Sequence, residues 1–206
     1  MEEIKNAIII PQGANYQLPD DSLLNFYEGI EKRIFWVNDE INVYSLNLIH
    51  YILKWNAEDA LIPIEERVPI KLLFFSPGGD LDVYRSIADI ISLSKTPIIG
   101  INIGVAYSAA SMIFLSCKER YMLKSSSLLF HCGSSAMSGS FGEMVAAMEK
   151  YKEDISELSE IIQANSDYSL EEILSNMTTD WYIDAKEAYK HGICTKIVDN
   201  IDDIIF

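Results

Sequence analysis

Along the chain, short continuous apolar runs alternate with stretches in which apolar residues recur at helical spacing. That alternation predicts an α/β layer fold. Ile34–Val37 reads as a short strand, and Val43, Leu46, Ile49, Tyr51 and Leu53 mark a helix over Val43–Trp55. Asn56–Pro69 reads as a polar loop with two prolines, and Ile70–Phe75 as a buried strand entering the turn Ser76-Pro77-Gly78-Gly79. Val83–Ser94 reads as a helix and Ile98–Ile103 as the next strand, with Gly104 opening a turn. Ser108–Cys117 reads as a buried helix of small residues. Tyr121–Leu123 and Leu128–Phe130 read as short strands, followed by a Gly/Ser-rich turn around Gly133–Gly142. Helices over Glu143–Ala164, Leu170–Met177 and Asp184–His191 come next. Gly192 then acts as a C-cap before a last strand, Ile193–Val198.

In the long helix, Met144, Met148, Tyr151, Ile155, Leu158 and Ile162 recur at spacings of 4, 3, 4, 3 and 4. Such a seam can face either the protein's own core or another helix. Thr96 to Cys117 carries no charge over 22 residues, a length that could span a bilayer. However, Pro97, Asn102, Tyr107, Ser108 and Ser111 interrupt it, so a buried strand followed by a buried helix fits better. The opening MEEIKNAIIIP is acidic with a very short apolar run, unlike a secretory signal.

The 206 residues are 49% apolar and 23% charged, enough for one sizeable core and one expected domain over 1–206. A net charge of -15 argues against nucleic acid, which needs a basic face, and against anionic membrane. Cys117, Cys132 and Cys194 show neither CxxC nor Cys/His ligand spacing, so reduced thiols in a cytoplasmic protein are expected.

Three side-chain types are candidates for acyl transfer, each with a plain structural alternative: an N-cap serine, a satisfied core histidine, a surface carboxylate. Gly104-Val-Ala-Tyr-Ser108 puts a serine where a strand meets a helix, although an N-cap serine would look the same. His131 ends the apolar run Leu128-Leu-Phe, whereas His50 lies in an amphipathic helix and His191 at a helix C-terminus. Asp180, just before Trp181 and Tyr182, could be a surface or capping carboxylate when taken alone. Gly78 and Gly79 allow a backbone N–H to face outward. Of the two serines in Tyr107-Ser-Ala-Ala-Ser-Met112, Ser108 lies at the helix entrance. Ser111 lies inside the helix, where its hydroxyl can bond back to a carbonyl.

Together these pieces resemble the Clp protease proteolytic subunit family, from about Phe26 to the C-terminus. The resemblance rests on Ser76–Gly79, on Gly104-Val-Ala-Tyr-Ser108, on Leu129-Phe-His131, and on Asp180 ahead of Trp181-Tyr182-Ile183-Asp184-Ala-Lys-Glu-Ala188. The ending Gly192-Ile-Cys-Thr-Lys-Ile-Val-Asp199 is also similar. The chain departs from the family pattern in having Ala109-Ala110 after the serine and Cys132-Gly133 after the histidine. These departures resemble phage-associated and other divergent members.

The resemblance implies a ClpP/crotonase-like fold of stacked strand-strand-helix units with a protruding handle helix at about 143–164. It implies a serine endopeptidase with a catalytic triad of Ser108, His131 and Asp180 and an oxyanion hole at the N–H groups of Gly79 and Ala109. Asp184 and Asp167 are the reserve carboxylates. It also implies a homo-oligomer of two stacked heptameric rings, polypeptide substrates, a separate AAA+ unfoldase ATPase as a possible partner, and no metal or organic cofactor. No GxxxxGK[ST] occurs in this chain. Three other readings stay open: a non-catalytic ring subunit, a crotonase-type acyl-CoA enzyme, and a membrane protease using a serine with Lys118 or Lys124.

Overall fold

The computed structural model describes residues 21–134 and 136–205, so the opening segment lies outside the described residues. So does Ser135, in the Gly/Ser-rich turn. The elements run α1 (Asp21–Glu31), β1 (Ile34–Val37), α2 (Asn47–Glu58), β2 (Ile70–Ser76), α3 (Leu81–Leu93), β3 (Ile98–Tyr107) and α4 (Ala109–Ser116). There follow β4 (Glu119–Leu123), β5 (Ser127–Phe130), α5 (Phe141–Ala164), α6 (Leu170–Asn176), β6 (Trp181–Asp184), α7 (Ala185–Lys190), β7 (Lys196–Val198) and α8 (Asp202–Ile205). The sheet runs β1-β2-β3-β4-β7 with parallel neighbours, while β5 pairs in parallel with β3 and β6 lies antiparallel to β5.

β3 is the pivot of the sheet. Its first half, Ile99–Asn102, pairs with β4, and its second half, Val105–Tyr107, pairs with β5. Gly104 therefore lies inside the strand and opens no turn. Its missing side chain matters, because a Cβ there would stand 2.6 Å from ring carbons of Phe75. At the change of partner, buried Asn102 donates from Nδ2 to the Ser127 carbonyl at 2.9 Å and accepts from the Gly104 N–H at 3.1 Å. One amide thus satisfies polar groups that the diverging strands would leave unpaired.

Most of the other expected elements form with shifted ends. The predicted helix from Val43 begins as a 3-10 turn over Val43–Leu46, capped by Asn42, and α2 extends three residues beyond Trp55. The uncharged stretch Thr96–Cys117 becomes β3 and α4, and residues 109–115 of α4 are all buried. Among the described residues, no helix is long and apolar enough to cross a membrane. The last strand starts later than expected, at Lys196, after Gly192 ends α7 with φ 76°. The sequence pattern does not predict α1, β6 and α8.

The main core fills one face of the sheet, where Leu72, Phe74, Ile87, Ile113, Phe114 and Phe130 meet. On the other face Leu73, Ile99 and Ile101 form a smaller cluster, partly covered by Ile204 of α8. The seam of α5 divides. Leu158 and Ile162 are buried in the core, whereas every residue from Phe141 to Lys150 is exposed.

An ion pair fixes the lower edge of the sheet. Arg33, at φ 58°, reaches Asp59 with two hydrogen bonds of 2.6 and 2.7 Å, and Thr96 Oγ1 donates to the same carboxylate at 2.8 Å. The Asp59 side chain is only 2% exposed. The Arg33 hydrogen bonds hold its carboxyl below the usual carboxylate range against the opposing effect of burial. Removing Asp59 would leave the largely buried Arg33 guanidinium with only Glu58 at 3.7 Å and the Val68 carbonyl at 3.0 Å among the described residues. Asp59→Ala should therefore lower unfolding free energy by about 3–5 kcal/mol at neutral pH. Because the native value is depressed, that contribution exists above the unfolded carboxyl value of about 3.9 and disappears as pH falls through the native one. Urea melts at pH 7 and pH 3 should show the gap between wild type and variant closing at the lower pH.

Candidate active site

The serine expected to react sits at the exit of β3, and its backbone is strained. Ser108 has φ 52° and ψ -122°, a conformation that costs a non-glycine residue about 1–3 kcal/mol. The strain is held in place from both sides. The Ser108 N–H donates to the Leu129 carbonyl on β5 at 2.9 Å, and its own carbonyl accepts from the Met112 N–H at 3.2 Å. The sharp turn lifts the hydroxyl above the start of α4, where the first N–H groups of a helix lack internal acceptors.

Strand register brings the other two side chains to it. In the parallel β3/β5 pair, Tyr107 stands opposite Leu129, two residues before His131. In the antiparallel β5/β6 pair, Phe130 stands opposite Trp181, so one further step sets His131 beside Asp180. The result is a chain of contacts: His131 Nε2 lies 2.8 Å from Ser108 Oγ, and His131 Nδ1 lies 3.3 Å from Asp180 Oδ1. The second distance is longer than a well-formed hydrogen bond, and the Asp180 side chain is 58% exposed.

Gly78 and Gly79 close the opposite wall, with φ 94° and 151°. A Cβ on Gly78 would meet the Tyr107 carbonyl at 2.4 Å and Ser108 Cβ at 2.8 Å; one on Gly79 would meet the Ile41 carbonyl at 2.2 Å. Only glycine lets this loop lie against the serine turn. The Ile41 N–H donates to the Gly78 carbonyl and the Asp80 N–H to the Ile41 carbonyl, both at 2.8 Å. Among the described residues, the N–H groups of Gly79 and Ala109 have no hydrogen-bond acceptor.

The remaining expectations sort clearly. Ser111 is fully buried, and its hydroxyl lies 2.7 Å from the carbonyls of both Ser108 and Leu129, so it stitches α4 to β5 and does not meet the histidine. Asp184 caps α7, accepting from the N–H groups of Lys186 and Glu187, and Asp167 pairs with His191. Neither reserve carboxylate is spare. His50 is exposed on α2 against Tyr51.

Ser108, His131, Gly79 and Ala109 line a cleft of about 830 Å³, whose depth is apolar through Met112 and Leu158. A second cavity of about 810 Å³ lies over β1 near Phe26 and Trp36 and holds none of Ser108, His131 and Asp180. Sequence reading missed Asp154, which lines the cleft from α5. Hydrogen bonds from Lys150 and Arg85 hold its carboxyl low although burial opposes this. Cys132 also lines the cleft, and burial pushes its thiol up.

The molecule is therefore an α/β protein in which a serine and a histidine line a cleft and a carboxylate stands behind the histidine. The Clp protease family model matches residues 24–201, and the chain belongs to that family. It is 28% identical over 138 residues to the ATP-dependent Clp protease proteolytic subunit 2 of Treponema pallidum (strain Nichols), covering 66% of this chain and 69% of that protein. It is 25% identical over 182 residues to the corresponding subunit 1 of Rhodopirellula baltica, covering 85% and 73%. Among solved structures, a ClpP1 mutant from Listeria monocytogenes superposes with a TM-score of 0.71 at 21% identity, over 86% of this chain and 98% of that one. The fold is thus the ClpP-like fold expected.

Proposed function

We propose that this chain is a serine endopeptidase that cleaves unfolded polypeptides inside a ring-shaped oligomer. The observation that carries the reading is the 2.8 Å contact between His131 Nε2 and the hydroxyl of a serine held at positive φ. As Ser108 Oγ attacks the scissile carbonyl carbon, its proton passes to His131 Nε2. The developing oxyanion lies against the N–H groups of Gly79 and Ala109. When the tetrahedral intermediate collapses, the C–N bond breaks and the amine leaves with the proton from His131. An ester on Ser108 remains. Water then attacks that ester with His131 again as base, which frees the acid and restores the serine. Asp180 orients the imidazole and stabilises its charged form. The step needs no metal or organic cofactor, and a separate AAA+ ATPase would unfold and feed the substrate.

Two features support assembly. Family membership is one. The other is the exposed half of α5, where Phe141, Met144, Val145 and Met148 are at least 41% exposed in the single chain. An isolated apolar stripe of this kind is a surface for another subunit. The free thiols fit a reducing compartment such as the cytoplasm.

Fluorophosphonate labelling with peptide mapping tests the nucleophile. Ser108→Ala should abolish labelling and peptidase activity, while Ser111→Ala should keep the labelled serine and only loosen packing. An adduct on Ser111, or full labelling of Ser108→Ala, would overturn the assignment. Asp180→Asn should lower kcat by roughly 10²–10⁴-fold with the fold intact, because it favours the wrong imidazole tautomer. Activity close to wild type would mean that another group orients His131. Native mass measurement should find assemblies of roughly fourteen subunits, in the closed symmetry usual for homo-oligomers. A strictly monomeric species at micromolar concentration and physiological salt would sink the ring.

A further inference from the structure

One polar side chain outside the three reactive residues is bonded to the backbone that carries the base. Tyr151 Oη of α5 lies 3.0 Å from the Cys132 carbonyl and 3.1 Å from the Gly133 carbonyl. A phenol has a single hydrogen, so the two carbonyls share it or take it in turn. On its other side, the Cys132 N–H donates to the Met177 carbonyl at 3.1 Å. Met177 opens the turn that leads to Asp180. The peptide that follows His131 is therefore gripped from the Asp180 side and from α5.

The turn of α5 that bears Tyr151 is itself anchored. Asp154 and Glu157 take the Arg85 guanidinium of α3 at 2.5 and 2.9 Å. α3 is capped by Asp80, the residue after Gly79. Leu158 and Ile162 then sink into the core. One short stretch of α5 thus touches the segment holding the base and the helix that begins at the glycine loop. Without the Tyr151 hydroxyl, the Cys132 and Gly133 carbonyls would lose their bond to α5, and the glycine at φ 79° would leave that turn free to swing.

We infer that Tyr151 is a positioning residue for His131. Its hydroxyl sets how far the turn after β5 can move, keeping Nε2 on Ser108 and Nδ1 towards Asp180, and so ties the reactive geometry to the seating of α5. This rests on the reading of His131 as the base.

The test is a double-mutant cycle on the full chain with a small fluorogenic peptide, after native mass has matched the assembly of each variant to wild type. Tyr151→Phe removes only the hydroxyl. It should lower kcat roughly fivefold to tenfold, the worth of one hydrogen bond, with KM within about twofold. In an Asp180→Asn background, where the imidazole is already misoriented, the same change should have almost no effect. Labelling rates replace turnover where turnover is too slow. An unchanged kcat, a change confined to KM, or the same loss in both backgrounds overturns the proposal. If the Phe variant does not fold, 3-fluorotyrosine at position 151 keeps the ring and hydroxyl while changing donor strength. A change in kcat that vanishes with Asp180→Asn supports the proposal, and an unchanged kcat overturns it. Wild type with neither peptidase activity nor labelling at Ser108 would instead remove the protease reading itself, and this inference with it.

Discussion

The pairing of β5 with two different strands is the constraint on which the site depends. β5 is four residues long, yet it is parallel to β3 on one side and antiparallel to β6 on the other. The first pairing sets the height of the histidine relative to the serine turn, and the second sets it relative to the carboxylate. Because side chains alternate along a strand, a one-residue slip in either register would turn His131 away from its partner. The Leu129 carbonyl adds a lock by lying within 2.9 Å of the Ser108 N–H and 2.7 Å of the Ser111 hydroxyl. The buried Ser111 is in this sense part of the frame for Ser108.

The strain at Ser108 is tolerable because the surroundings determine it several times over. The N–H and carbonyl of the residue are both used, α4 is buried along its length, and Gly78 leaves room for the turn. A conformation costing about 1–3 kcal/mol persists only inside such a frame. What is gained is exposure of a hydroxyl at a helix entrance with free N–H groups beside it, where negative charge is stabilised. The two alanines that follow the serine are small, and among the described residues the Ala109 N–H has no acceptor.

α5 carries two roles along one axis. Its C-terminal half packs into the core and is bolted to α3 through Arg85, while its first ten residues are all exposed. The hydroxyl of Tyr151 falls at the boundary between the halves. The exposed half is therefore linked to the backbone next to His131 by a path of direct contacts. Energetic coupling along such a path requires only that α5 have more than one seating.

Much of this molecule was readable from the sequence because it depends on local patterns. The strands β1 and β2, the helix entrance at Ser108 and the glycine pair follow from apolar runs and turn residues, whereas Ser108, His131 and Asp180 were grouped by the family resemblance. Other features depend on partners distant in the chain and leave no local mark. Gly104 looked like a turn because a lone glycine after a strand usually is one; Phe75 pressing on it made it part of β3. β6 leaves no separate mark because Trp181–Asp184 runs straight into α7, whose cap is its last residue Asp184, and its only partner among the described residues is β5. Tyr151 looked like one more apolar position of a seam, since nothing in the sequence says that its hydroxyl meets the carbonyls beside His131. Sequence alone determined which groups are available and their order along the chain. Tertiary structure alone decided that a histidine, a serine and an aspartate far apart in sequence lie within 3.3 Å of one another in series, because strand register is set by packing the whole sheet at once.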